Sequence, residues 1–290
     1  MITAMITPFA NGKPALEDLA RFTEFQISNG INGLAVVGTT GESSTLSFDE
    51  QIEVIRCVVE TARGRVPVIA GAGSNSTSEA LHLTALAGET NVDGFLHVAP
   101  YYNRPTQEGI YRHFCEIAES TDKPIVLYSI PSRCGVEIGV ETVVRLRKRY
   151  PHVNHIKEAG GACGRVDRLR DSLGDDLVIL SGDDALTLPF MSLGARGAIS
   201  VASNLVVADL AVMAKAALDN DYATARAIHQ RYTPLFMNLF IESNPVPVKA
   251  ALMRAGVISS EEVRLPLTPL EDRHREVLWK TLEALEKDGK

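Results

Sequence analysis

The stretch His152-Val-Asn-His-Ile-Lys-Glu-Ala-Gly-Gly161 fixes the interpretation of this chain. Its residues alternate with a period of two and stop at a Gly-Gly pair, which predicts a strand with Lys157 at its carboxyl end. A lysine at that place commonly extends into water. The alternative is an amine in a low-dielectric pocket, whose lowered pKa lets the neutral form attack a carbonyl. The rest of the chain decides between the two.

Short apolar runs like this one recur about eight times and are separated by segments with helical spacing. Strands that alternate with helices imply parallel pairing with right-handed crossovers, and eight units predict a (β/α)8 barrel. An open doubly wound sheet is the alternative, but no Gly-rich phosphate fingerprint follows the first run. The predicted strands are Ile2 to Ile6, Gly33 to Val37, Val66 to Ala70, Gly94 to Val98, Ile125 to Tyr128, Val153 to Lys157, Leu177 to Leu180 and Ala198 to Val201.

The strand signal stops near residue 222. Three helical segments follow, Tyr222 to Phe240, Val246 to Ala255 and Leu270 to Glu286, with prolines between them. We therefore expect a catalytic barrel over residues 1–221 and a small helical domain over residues 222–290.

The 290 residues carry a net charge of −7, and 45% of them are hydrophobic. The acidic balance argues against nucleic acid or an anionic membrane as a partner, since either would call for clustered Lys and Arg. No apolar run reaches the ~18 residues of a membrane span, and the amino terminus lacks the pattern of a signal peptide, so we expect a cytoplasmic protein. The four cysteines have no C-x-x-C spacing and are expected as free thiols.

In a (β/α)8 barrel the active site lies at the carboxyl ends of the strands. Residues bearing hydroxyls, phenols, a lysine and an arginine follow the predicted strands of this chain. His97, His152 and His155 form no spaced pair with carboxylates, so no metal site is expected.

Lysine chemistry also needs a proton shuttle and donors for a carboxylate. Tyr128 can both give and take a proton at its strand end, and the hydroxyls of Thr39 and Thr40 suit relay and carboxylate binding. Arg133 offers a planar fork of donors for an anionic substrate. Taken singly, the threonines fit an ordinary turn and Arg133 a surface ion pair.

Several motifs in order resemble the dihydrodipicolinate synthase family over nearly the whole chain. The motifs are Gly38-Thr-Thr-Gly-Glu-Ser43, Pro100-Tyr-Tyr-Asn-Arg-Pro105, Tyr128 with Pro131-Ser-Arg133, Ile156-Lys-Glu158, Ser181-Gly-Asp-Asp184 and Asn244-Pro-Val-Pro-Val-Lys249. The resemblance implies a pyruvate-dependent class I aldolase, a lyase of lysine and diaminopimelate biosynthesis. Its substrates would be pyruvate and L-aspartate 4-semialdehyde, with no dissociable cofactor.

The resemblance also implies a role for individual residues. Lys157 would form the Schiff base with pyruvate, and Tyr128 would donate the proton. Thr39 and Tyr102 would complete the relay, with Tyr102 reaching a neighbouring subunit of a homotetramer, a dimer of dimers. The implied substrate-binding residues are Thr40, Gly182, the backbone of Ile199, and Arg133 for the semialdehyde carboxylate.

The match has departures and one open question. Ser129 stands where the family usually has asparagine, and Cys134 where threonine is common, so the loop around Arg133 is expected to be bonded differently. Many members bind lysine as an inhibitor. The residues that match this allosteric site, or stand where some sensitive enzymes have histidine, are Ser43, Asn75, Glu79, Tyr101, Phe48 and Gln51. The sequence leaves open whether lysine inhibits this protein.

Two other functions stay open. A sister aldolase, similar to N-acetylneuraminate lyase or 2-keto-3-deoxygluconate aldolase, would share the fold and Lys157, but these relatives typically lack an arginine at the place of Arg133. A barrel that only binds small oxo acids would not need the set of Lys157, Tyr128, Thr39 and Tyr102.

Overall fold

A computed structural model describes residues 1–288 of the chain. Its strands are β1 (Ile2–Ala4), β2 (Phe9–Ala10), β3 (Lys13–Pro14), β4 (Leu34–Val36), β5 (Val68–Gly71), β6 (Gly94–Val98), β7 (Ile125–Ser129), β8 (Val153–Glu158), β9 (Val178–Ser181) and β10 (Ile199–Ser200). Its helices are α1 (Leu16–Ser28), α2 (Phe48–Ala62), α3 (Thr77–Gly88), α4 (Gln107–Glu119), α5 (Pro131–Cys134), α6 (Val140–Arg149), α7 (Cys163–Leu173), α8 (Thr187–Ser192), α9 (Val207–Leu218), α10 (Tyr222–Asn238), α11 (Val246–Arg254) and α12 (Asp272–Asp288).

Eight of these strands, β1 and β4 to β10, belong to one sheet and alternate with helices. This is the (β/α)8 barrel that the sequence predicts, and the prediction is confirmed. Strands β2 and β3 form a separate antiparallel hairpin, Phe9 opposite Pro14, which the sequence analysis missed. Among the described residues, no helix is both long and apolar enough to cross a membrane.

The chain divides into two compact units. The first comprises Met1–Pro67 with Ser200–Lys290, of which residues 289 and 290 lie outside the described part of the chain. Within it β1 pairs in parallel with β4, α1 packs on α2, and α10 packs on α9 and α12. Helix α2 begins with a capping box in which Ser47 and Glu50 exchange hydrogen bonds.

The second unit, Val68–Ile199, contains five strands that pair in parallel in chain order, β5 to β9. All five residues of β7 are buried, as expected for a strand covered on both faces. Its register with β8 places Tyr128 beside Lys157 at the carboxyl ends of both strands. The three helices predicted after residue 222 are present as α10, α11 and α12, whereas the domain boundary at 221/222 stays a prediction.

Candidate active site

Lys157 is the fifth of six residues in β8, so it lies at the carboxyl end of the strand. Its partners in register are Tyr128 on β7 and Leu180 on β9. The side chain is buried, with 6% of the residue exposed. A buried amine is unusual, since lysine is among the residues least often found inside a protein. The observation favours the pocket over the exposed position that a lone lysine commonly takes.

Burial lowers the pKa of Lys157 to about 8. The charge of Asp184 raises this pKa and that of Arg133 lowers it, and both effects are smaller than that of desolvation. With this pKa about a tenth of the amine is neutral at pH 7, against less than about a thousandth for an ordinary lysine. The side chain can therefore act as a nucleophile near neutral pH.

Two neighbours define the space around this amine. The Nζ atom of Lys157 lies 4.3 Å from the ring centroid of Tyr128, whose side chain is also buried. On the other side, a Cβ atom at Gly182 would stand 3.1 Å from Lys157 Cε and 2.8 Å from Ala159 Cβ. Gly182 thus leaves room that any other residue would take from the lysine. Its backbone N–H donates to the Glu158 carbonyl at 2.8 Å.

Arg133 lies on the short helix α5, directly after β7, and its side chain is exposed. The two departures from the family pattern lie at either side of Arg133, Ser129 at the end of β7 and Cys134 at the end of α5. Ser129 is fully buried, and its hydroxyl accepts the Ile138 N–H at 3.3 Å. Cys134 is also buried, and burial raises the pKa of its thiol to about 11. Ser129 thus holds the far end of the loop at Ile138, while Arg133 is exposed.

A buried ion pair that was not predicted from the sequence joins β8 to α7. Glu158 follows Lys157 in β8 and, by strand alternation, faces the opposite side. Its carboxylate accepts from Arg165 Nε of α7 at 2.6 Å, and both side chains are fully buried. A carboxylate on the helix-covered face of a strand needs a cation nearby. The position of Glu158 in the strand could therefore have predicted such a partner.

The loop that contains Thr39 and Thr40 lies in the first unit. Thr40 is buried, and its hydroxyl accepts from Asn244 Nδ2 at 2.9 Å, while Thr39 is half-buried. Val37 and Glu42 have φ angles of 57° and 56°, a region that costs a β-branched residue energy. Contacts with the surrounding chain hold this strained loop in place.

The main such contact is a buried ion pair. Lys249 Nζ donates to Glu42 Oε1 at 2.7 Å, and Glu42 Oε2 accepts the Arg264 N–H at 3.2 Å. The Lys249 ammonium and the Arg264 guanidinium also lie over the ring of the buried Phe9, at 4.3 and 4.6 Å from its centroid. Lys249, which belongs to one of the sequence motifs, therefore supports the loop that contains Thr39 and Thr40 through its contact with Glu42.

The other residues predicted for the active site and for the allosteric site differ in their exposure and contacts. Tyr102 is 90% exposed on a backbone with a φ of 70°, whereas Ile199 in β10 is buried. For the allosteric set, Ser74 Oγ donates to Glu79 at 2.7 Å and Asn75 Nδ2 to the Tyr101 carbonyl at 3.1 Å.

Gln51 is buried, and its amide donates to the Ser43 and Leu46 carbonyls, so it already serves the turn before α2. Phe48, at the start of that helix, is exposed.

One group of side chains within residues 1–288 has metal-ligand types close together: Glu242, Glu271 and His274 have donor atoms within 4.8 Å. His274 Nδ1 is 2.7 Å from Glu242 Oε1, which makes this an ion pair or hydrogen bond in its own right. The absence of a metal requirement stays a prediction.

The model of the dihydrodipicolinate synthetase family matches residues 1–285. The chain belongs to this family. A relative named 4-hydroxy-tetrahydrodipicolinate synthase, from Persephonella marina, is 49% identical over 97% of this chain and 96% of its own. The solved structure of the enzyme of that name from Methylacidiphilum fumariolicum is 51% identical, with a TM-score of 0.97 over 99% of this chain and 95% of that one.

The chain is also similar to the solved structure of the dihydrodipicolinate synthase from Acinetobacter baumannii complexed with pyruvate. It is 40% identical, with a TM-score of 0.95 over 98% of each chain.

Proposed function

We propose that this enzyme is a 4-hydroxy-tetrahydrodipicolinate synthase that condenses pyruvate with L-aspartate 4-semialdehyde through a Schiff base on Lys157. The main support for this proposal is the buried Lys157 amine, whose pKa is lowered to about 8 and which lies 4.3 Å from the centroid of the Tyr128 ring. Family membership gives the reaction class, a lyase-type aldolase of lysine and diaminopimelate biosynthesis.

The chemistry follows from the neutral amine. Lys157 Nζ attacks the pyruvate carbonyl, and loss of water from the carbinolamine leaves a Schiff base. Loss of a methyl proton gives the enamine, whose carbon forms the new C–C bond to the aldehyde carbon of the second substrate. The amino group of that substrate then attacks the Schiff-base carbon, which closes the ring and returns Lys157 as the free amine.

We assign the protons to Tyr128, with Thr39 and Tyr102 as relay. Thr40, Gly182 and the backbone of Ile199 would contact pyruvate. The Asn244 amide supports the role of Thr40: by donating to its hydroxyl oxygen, it leaves the hydroxyl proton for another acceptor such as a carboxylate. No dissociable cofactor is required by this sequence of steps.

Arg133 is the proposed ligand of the semialdehyde carboxylate. Its guanidinium is exposed and its charge acts on Lys157, which supports a place beside the reacting amine. An arginine there suits an anionic aldehyde rather than a sugar. No observation favours the sister aldolases.

The proposed assembly is a homotetramer in the cytoplasm. An aromatic side chain that is 90% exposed on a strained backbone, as Tyr102 is, suits a group completed by a second subunit. Sedimentation velocity with Tyr102→Phe and Tyr102→Ala would compare assembly with activity.

Ser43, Asn75, Glu79, Tyr101, Phe48 and Gln51 are the residues proposed to bear on lysine binding. The Glu79 carboxylate could hold an ammonium group. Calorimetric titration of lysine into the wild type and into Glu79→Gln would test this, and equal binding by both would remove Glu79 from the site.

The decisive experiment is turnover of L-aspartate 4-semialdehyde with pyruvate, beside a panel of sugar aldehydes. Borohydride trapping with pyruvate should add one adduct to the wild type and none to Lys157→Ala. Turnover confined to the semialdehyde would support the synthase, and turnover of a sugar aldehyde instead would move the protein to a sister aldolase. An adduct that persists in Lys157→Ala would overturn the choice of nucleophile.

A further inference from the structure

Arg165, on α7, is a fully buried arginine with four hydrogen-bonded or charged neighbours inside the second unit. Its Nε donates to Glu158 Oε2 at 2.6 Å, one Nη to Glu137 Oε1 at 2.8 Å, and the other Nη to the Ile138 carbonyl at 2.5 Å. Its backbone N–H donates to the Ala162 carbonyl at 3.1 Å, which fixes the start of the helix.

The two ends of this network belong to the two halves of the proposed reaction centre. Glu158 follows the nucleophile Lys157 in β8. Glu137 and Ile138 close the segment that begins with Arg133 in α5. Arg165 therefore joins the strand of the amine to the loop of the proposed carboxylate ligand.

Other contacts hold the same loop from α4 and from the segment just before it, and they do not reach β8. Gln107 donates to the Glu137 carbonyl at 2.7 Å and accepts the Gly139 N–H at 2.7 Å, and Arg104 donates to the Gly135 carbonyl at 2.9 Å. From the end of β7, the Ser129 hydroxyl accepts the Ile138 N–H at the longer distance of 3.3 Å. Arg165 makes the charged link between the nucleophile's strand and the loop.

Stability alone gives a poor reason for this arrangement. Burying ion pairs costs desolvation that well-packed apolar residues avoid, so such a pair is weak evidence for a stabilising role. A planar guanidinium, in contrast, fixes several acceptors at defined angles. Small displacements of a substrate-positioning group cost large factors in rate.

We propose that Arg165 is a positioning residue that sets the place of the Arg133 loop relative to Lys157, and thereby the capture of the semialdehyde carboxylate. This inference rests on the proposed function. Its consequence is selective: the pyruvate half-reaction needs Lys157 and not the Arg133 loop, whereas the second half-reaction needs both.

The main test variant is Arg165→Lys, which keeps a cation for the buried Glu158 but cannot hold three acceptors in one plane. The expected result is a rise in KM for the semialdehyde of about tenfold or more, with pyruvate adduct formation within about twofold of the wild type. Glu137→Gln, which spares the buried pair, should raise the same KM by a smaller factor. Arg147→Lys is the matched control, an arginine of the same unit that donates to the Asp176 carbonyl at 2.6 Å. In this variant the KM for the semialdehyde and the rate of pyruvate adduct formation should both stay at the wild-type level.

A double-mutant cycle separates positioning from general support. If Arg165 acts through Arg133, then Arg165→Lys costs no further semialdehyde turnover in an Arg133→Ala background. An equal loss in both backgrounds, or a parallel loss of pyruvate adduct and semialdehyde turnover in a folded Arg165→Lys protein, would overturn the proposal. Failure of the proposed function would appear separately, as a wild type that forms the adduct but does not consume the semialdehyde. The inference would fall with it.

Discussion

Lys249 Nζ lies 2.7 Å from Glu42 Oε1, and neither side chain reaches solvent. Burial lowers the pKa of Lys249, and the charge of Glu42 acts against that change. The two residues are 207 positions apart, so this pair ties helix α11 to the loop of Thr39 and Thr40. Removing either partner leaves a buried charge without its counter-charge.

Lys249→Met should lower the free energy of unfolding by about 3–5 kcal/mol, because the Glu42 carboxylate then stays buried without a cation. Urea unfolding followed by circular dichroism measures this loss. The control is Lys215→Met, in the exposed pair with Asp219, which should cost at most about 0.5 kcal/mol.

Adding Glu42→Gln to Lys249→Met should recover part of the loss, since the unpaired charge is gone. Equal destabilisation by Lys249→Met and Lys215→Met would show that burial of the pair does not matter for stability.

Lys157 is predicted to cost stability at neutral pH. Its folded pKa of about 8 lies below its ordinary value near 10.5, so between these pH values the unfolded chain binds more protons and stability rises with pH. The destabilisation is absent above about pH 10.5, where the amine is neutral in both states, and it is fully developed once the pH has fallen through 8. At pH 7 the lowered pKa reduces the free energy of unfolding by about 3 kcal/mol.

Lys157→Met should therefore raise the melting temperature at pH 7, and the gain should shrink as the pH approaches 10. In the wild type, the rate of pyruvate adduct formation should rise with pH and level off above about 8. Calorimetric scans and borohydride trapping across pH 6–10 measure the two effects. A variant no more stable than the wild type at pH 7 would contradict the lowered pKa.

The regular alternation of apolar runs with helical segments made the fold predictable. The predicted and observed strand bounds show how accurate the prediction is. The run Gly94 to Val98 coincides with β6, because an apolar segment between turns has few other structures. The hairpin β2–β3 was missed although Asn11 and Gly12, with φ angles of 54° and 76°, form the kind of pair that favours a tight turn. Two-residue strands are too short for a periodic pattern.

The candidate site was predictable where a strand end or a motif marks a residue, as at Lys157 and Gly182. Pairs such as Glu42 with Lys249 could not be predicted from spacing, because their contact is created by the packing of distant segments. Arg165 was missed for a related reason: on a helix it resembles any surface arginine until its burial is known.

Cys134 and Cys163 should differ in reactivity. Cys134 is buried and burial raises the pKa of its thiol to about 11, so it stays protonated at neutral pH, whereas Cys163 at the start of α7 is exposed. Because the thiolate is the reactive form, iodoacetamide at pH 7.5 should label Cys163 well before Cys134. Peptide mass spectrometry over a time course measures both sites, with urea-unfolded protein as the reference for full labelling. Early loss of the Cys134 thiol would show that the loop around Arg133 opens in solution.

Gly182→Ala tests the space that the lysine needs. The new methyl group would stand 3.1 Å from Lys157 Cε, 3.2 Å from Cγ and 2.8 Å from Ala159 Cβ, closer than ordinary contact allows. The lysine must then shift, and a displacement of about 1 Å at a reacting group costs on the order of a hundredfold in rate. Gly164→Ala is the control, since nothing lies within 4 Å of its added carbon. Single-turnover adduct formation with pyruvate should fall by about that factor in Gly182→Ala and stay unchanged in Gly164→Ala. A wild-type rate in a folded Gly182→Ala protein would mean that the lysine reaches pyruvate from another rotamer, and the role given to this glycine would be wrong.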